Sequence, residues 1–193
     1  MMGKAAARVA SAMSAFVVMS MVFAGPVRSA GAAECVKMSA LLSPAMFKRY
    51  AVLVPTNRNW RSANVQKGGA HLFRTVLRAE SAGPPNFAGA YTVVRIGCGS
   101  GTVCPAFVDR TTGTVSFVPA IQSIYGLAGN TGKAGSYDRL AYRSDSQLLG
   151  VLGARNEVAK TTGVSLFAWN RGNPRLLRFV PESRLCQTGW TYQ

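Results

Sequence analysis

The sequence predicts a single α+β domain, mainly an antiparallel β meander with one packed helix, stapled by disulfides. Three observations carry this. Short apolar runs rich in β-branched and aromatic residues come in pairs around turn-forming connections from Ala90 onward. One stretch, residues 69–82, carries its apolar residues at helical spacing. All four cysteines, Cys35, Cys98, Cys104 and Cys186, lie beyond a leader-like N-terminus, the usage of a chain sent to an oxidising compartment.

The leader reads in the order a signal peptide requires. Lys4 and Arg8 supply the positive start, residues 15–24 the apolar middle, and the small residues from Ala30 to Ala33 the cleavage site. Ser14, Ser20 and the Gly25-Pro26 pair hold the apolar run below the roughly 20 residues needed to span a bilayer, so no transmembrane helix is expected after cleavage. Residues 1–33 are therefore assigned to the signal peptide and 34–193 to one exported, mainly β domain.

Within that domain, residues 35–49 hold an apolar cluster, and Ser43-Pro44 is suited to start a short helix. Residues 50–54 are apolar and stopped by Pro55, which predicts a buried strand. The helix over 69–82 places Leu72, Phe73, Val76 and Leu77 on its apolar side, turns Arg74 and Arg78 to solvent, and ends at Gly83-Pro84-Pro85. A strand over 90–96 follows, then three hairpins whose connections are 110–113, 143–146 and 170–174. Asp109, Asp138 and Asp145 sit where turns need them, and the four glycines of 126–135 predict a mobile loop. Four cysteines allow three connectivities. The expected one joins Cys98 to Cys104 across a small glycine-containing loop and Cys35 to Cys186 across the whole domain.

Charge narrows the partners. The chain carries +15, and loss of Lys4, Arg8 and Arg28 with the leader leaves +12, mostly from arginine. Such a surplus attracts polyanions and argues against a basic partner protein. The segment Arg58-Asn59-Trp60-Arg61 is the most suggestive surface candidate, because a ring between two guanidiniums stacks on a sugar, base or lipid interface while the charges find phosphate. A tryptophan packed onto the domain between solvated arginines is the simpler alternative.

Catalytic patterns are weak. The glycines from Gly97 to Gly101 allow close backbone approach to an anion, yet they serve a tight disulfide turn equally well. Ser100 is not placed as in a nucleophile elbow, and His71, the one histidine, stands alone on a helix. The cysteine spacing fits neither a thiol oxidoreductase nor a zinc site, and the acids are scattered singly. No metal or cofactor is expected.

The run Pro85-Asn-Phe-Ala-Gly-Ala-Tyr91, the Gly97-Cys-Gly-Ser-Gly101 turn, the segment from Phe107 to Gly113 with its Asp109-x-x-Thr-Gly pattern, and residues 140–149 resemble a family of uncharacterised exported bacterial proteins. The resemblance spans roughly residues 73–180. It implies a bacterial periplasmic or secreted protein and brings no reaction, cofactor or site residue. The chain departs from the family at Ala90, where histidine is common, and at Cys104, which follows Cys98 at a longer interval.

The favoured functional expectation is a non-enzymatic envelope protein that binds anionic lipid or glycan, or an unknown protein partner, with Arg58, Trp60 and Arg61 as ligand-binding residues. One alternative is a hydrolase or transferase using the Gly97 to Gly101 loop, with Ser100 as nucleophile and His71 as base. A nucleic-acid binder is the other, disfavoured by export.

Overall fold

Alternation along the strands decides the layering. The computed structural model describes residues 34–56, 58–126 and 139–186; residues 1–33 predicted as a leader, Asp138 and all of the glycine-rich loop beyond Gly126 lie outside the described residues. The strands are β1 (Tyr91–Gly99), β2 (Thr102–Asp109), β3 (Val115–Ser116), β4 (Ile124–Tyr125), β5 (Leu140–Arg143), β6 (Ser146–Arg155), β7 (Gly163–Asn170) and β8 (Asn173–Pro181). Every pairing between them is antiparallel, in the order β1-β2-β4-β6-β7-β8, with β3 beside β2 and β5 beside β6.

Successive side chains of a strand point to opposite faces, so β1, β2, β6 and β7 each feed two cores. Val93 of β1 and Phe107 of β2 share a central core with Leu149 and Val151 of β6 and Phe167 and Trp169 of β7. Phe107 and Trp169 meet there with ring centroids 4.3 Å apart, and Phe87 sits edge-on to Trp169 at 5.3 Å. The alternate residues Leu148, Leu152, Val164 and Leu166 face the other way, under α1 (Met38–Leu41) and α2 (Pro44–Arg49). Val94, Ile96, Ala106 and Val108 face a third core closed by Ala63, Val65, Ala70 and Leu77. Two sheet halves thus pack on each other, each with helical cover on its outer face.

β4 is the seam between the halves. Its two residues pair with β2 at Thr102 and Val103 and with β6 at Ala154 and Arg155. Gly153, at φ +140°, lets β6 pass beneath the Tyr125 carbonyl; a Cβ there would run into that oxygen. Gly153→Ala is expected to lower stability by about 2 kcal/mol in urea unfolding. A change below a few tenths would mean the seam relaxes without cost.

The predicted fold class holds, and both disulfides form as expected: Cys35 with Cys186 and Cys98 with Cys104. All three predicted hairpins are present, as β2–β3, β5–β6 and β7–β8. Two local readings change. The segment 50–54 is no buried strand: Ala51 makes one isolated bridge to Ser146, and Leu53 is 94% exposed. β7 already holds that edge of β6 from Leu148 on, which leaves only Ser146 to pair. The helix predicted over 69–82 is two pieces, α3 (Gly68–Leu72) and α4 (Arg74–Glu80), broken at Phe73, whose ring turns onto Phe117 at 6.1 Å between centroids. Leu77 is fully buried, Arg74 and Arg78 face solvent as predicted, and Leu72 is exposed rather than packed. Ser43 caps α2 by accepting from the Met46 N–H at 3.3 Å, with Pro44 in the first turn.

A fourth hairpin, β1–β2, turns through Ser100 and Gly101 and is clipped by Cys98–Cys104. At its far end Asn86 acts as a one-residue strand. Its side-chain oxygen accepts from the Val93 N–H at 2.8 Å and its amide donates to the Val93 carbonyl at 3.3 Å, while Phe87 and Tyr91 exchange backbone bonds. This occupies part of the free edge of β1.

Candidate functional site

The Arg58 to Arg61 segment owes its placement to a residue that is not on the surface. Arg110, at the end of β2, is 3% exposed. Its Nε donates to the Arg61 carbonyl at 2.7 Å, and one terminal nitrogen donates to the Gly83 carbonyl at 2.7 Å and to Thr92 Oγ1 at 3.2 Å. The backbone repeats the tie: the Arg61 N–H donates to the Arg110 carbonyl at 2.9 Å, and the Arg110 N–H to the Ala90 carbonyl at 2.8 Å. Burial pushes the Arg110 guanidinium below its ordinary value. Among the described residues its hydrogen bonds go to carbonyls and a hydroxyl, with no carboxylate.

The turn after Arg110 completes the clamp. The Asp109 carboxylate accepts from the Thr111 N–H at 2.7 Å and its hydroxyl at 2.6 Å, and the Asp109 carbonyl from the Gly113 N–H at 2.7 Å. This is the turn role predicted for Asp109. Gly113 adopts φ +82°, and a Cβ there would lie 2.6 Å from the Ser62 carbonyl, so only glycine lets residues 61–64 lie flat on the turn. The Asn64 N–H then reaches the Gly113 carbonyl at 2.7 Å, and Ala63 and Val65 are buried. A strap fixed this way presents Arg58 and Arg61 exposed, with Trp60 half-buried between them. Trp60 is thus neither fully buried nor fully exposed.

The residues of the enzyme alternative lie on separate elements. Ser100 is exposed in the β1–β2 turn beside the Cys98–Cys104 bridge. His71 is exposed on α3, with Nδ1 3.3 Å from the Val65 carbonyl. No hydrogen bond joins the two among the described residues, and none of those residues form a group of three potential metal ligands.

Sequence reasoning missed a pocket of about 420 Å³ beside the seam, lined by Tyr125, Thr162, Glu157 and Glu182 among others. Glu157 and Glu182 come from the turn after β6 and the turn after β8, 25 positions apart, so no spacing signal links them. Asp145, the other predicted turn acid, chelates Arg143 with both oxygens at 2.9 Å, and that guanidinium holds its carboxyl below the usual range. Among the described residues no helix is long and apolar enough to cross a membrane.

Neither a family model, nor a curated protein, nor a solved structure matches the chain. The class of protein is thus defined by fold alone: a disulfide-stapled antiparallel β domain with short helices on both outer faces.

Proposed function

We propose that the protein is a non-enzymatic component of the bacterial envelope, periplasmic or secreted, that binds an anionic lipid or glycan through Arg58, Trp60 and Arg61. The observation that supports this best is the strap itself. Two exposed guanidiniums flank a half-buried indole, and Arg110 and Gly113 hold the backbone from Arg61 to Asn64, which lowers the ordering cost of binding at the Arg61 end. The +12 charge left once residues 1–33 are removed adds long-range attraction to any anionic surface, and two disulfides suit an oxidising compartment.

Cosedimentation of the oxidised protein with anionic and with neutral vesicles, near 0.15 M salt, tests the reading, because screening there removes diffuse attraction beyond about 8 Å. Wild type is expected to stay on anionic vesicles, and Arg58→Glu with Arg61→Glu to weaken that binding at least about tenfold, each basic residue near such a surface being worth about 1 kcal/mol. Undiminished binding by the double variant would remove the strap from the account.

A further inference from the structure

Five residues before Arg58 stands an apolar side chain that the core does not use. Leu53 is 94% exposed and Val54 37% exposed. A lone surface leucine needs no explanation by itself. This one differs because its backbone is held from both sides. The Val52 N–H donates to the Asp145 carbonyl at 2.9 Å, Ala51 bridges to Ser146, and the Leu53 carbonyl packs so closely on Gly89 that a Cβ there would lie 2.6 Å away. Gly89 in turn donates its N–H to the Ser144 carbonyl at 2.7 Å. Backbone so anchored keeps the Leu53 side chain pointing outward.

The tip and the strap share one end of the molecule. From Leu53 the contacts run to Gly89, then from the Ala90 carbonyl to the Arg110 N–H, and from the Arg110 carbonyl to the Arg61 N–H. This is the end of the β1–β2 hairpin away from Cys98–Cys104. Lys48 and Arg49, both exposed, precede the tip, and Arg58 and Arg61 follow it.

We propose that Leu53 and Val54 insert into the interfacial layer of an anionic bilayer while Arg58 and Arg61 engage headgroup phosphates. This rests on the anionic-surface reading above and selects lipid as the ligand. Charge alone serves a glycan as well as a lipid, but a polysaccharide offers no apolar layer to receive a leucine, whereas an exposed apolar tip with exposed cations before and after it in the chain matches the boundary between headgroups and acyl chains.

The test compares the oxidised mature chain, residues 34–193, as wild type, Leu53→Asn and Leu53→Phe on vesicles of phosphatidylcholine with phosphatidylglycerol, and on a soluble sulfated polysaccharide. Leu53→Asn, which removes the apolar side chain without adding charge, is expected to weaken vesicle binding about tenfold, the scale of withdrawing one leucine side chain from an apolar layer. It should leave polysaccharide binding and the melting temperature unchanged, and Leu53→Phe should retain vesicle binding. If Leu53→Asn binds vesicles like wild type while Arg58→Glu with Arg61→Glu does not, insertion is wrong and the charge reading stands. An equal loss on the polysaccharide also overturns insertion, since the leucine would then serve the charged site. Wild type that binds neither vesicles nor polysaccharide defeats both.

Discussion

Replacing Cys35 and Cys186 together by serine is expected to lower the unfolding free energy by about 5 kcal/mol, against about 2 kcal/mol for the same change at Cys98 and Cys104. The difference follows from loop length. The first bridge joins residues 151 positions apart and the second residues six apart, so the first removes far more freedom from the unfolded chain. Local structure sharpens the contrast. The Cys98–Cys104 loop closes a hairpin already registered from Tyr91↔Asp109 to Gly99↔Thr102, which reforms without help. The Cys35–Cys186 bridge secures a single parallel contact, Val36↔Leu185, flanked by the Val36 N–H to Arg184 carbonyl bond at 2.8 Å and the Cys186 N–H to Val36 carbonyl bond at 3.0 Å. Leu185, buried at 3% exposure, docks there into the core beneath α1 and α2. Since whole domains are stable by only about 5–15 kcal/mol, the long-bridge variant is expected to be largely unfolded at 37 °C. Urea titrations of the two double-serine variants decide it, with the m-values reporting any change in the unfolded state. Equal losses from the two would show that the entropy of the long loop is already spent on residual unfolded structure.

What the sequence made legible was whatever depends on neighbours in the chain. Paired β-branched runs around turn formers predicted the hairpins, and Asp109 and Asp145 were identifiable as turn residues because a short carboxylate acts within two positions of itself. Hidden were the features that depend on distant partners. Residues 50–54 have the composition of a buried strand, yet whether they pair depends on which strand occupies that edge of β6, and β7 does. The break at Phe73 depends on Phe117, and the β1–β2 hairpin was obscured because its turn coincides with the cysteine loop. The candidate site divides the same way. Arg58, Trp60 and Arg61 stood out from their spacing, whereas Leu53 read as core, and Arg110, 49 positions from the carbonyl it holds, read only as the start of a turn.

That distant arginine carries the other large prediction. Arg110→Met keeps the aliphatic bulk but deletes the donors, leaving the Arg61 and Gly83 carbonyls without their partner at a site that is 3% exposed. An unsatisfied buried polar group costs about 1–3 kcal/mol, so the variant is expected to lose roughly 3–4 kcal/mol. Arg110→Lys should recover only part of this, because one ammonium on a flexible stem does not reproduce the fork that serves two carbonyls and Thr92 at once. The second effect concerns function. Arg61 lies between the guanidinium and the backbone of Arg110, so loss of the guanidinium frees the strap before the rest of the domain opens. Amide exchange at Arg61 and Asn64 is therefore expected to accelerate more than exchange at Val93 or Phe107, and binding to anionic vesicles to weaken at temperatures where the variant is still folded. Uniform acceleration across all four amides, with vesicle binding intact in the folded fraction, would make Arg110 a residue of general stability with no hold on the strap. Selective acceleration with weakened binding would identify it as the positioning residue of a surface to which it contributes no exposed charge.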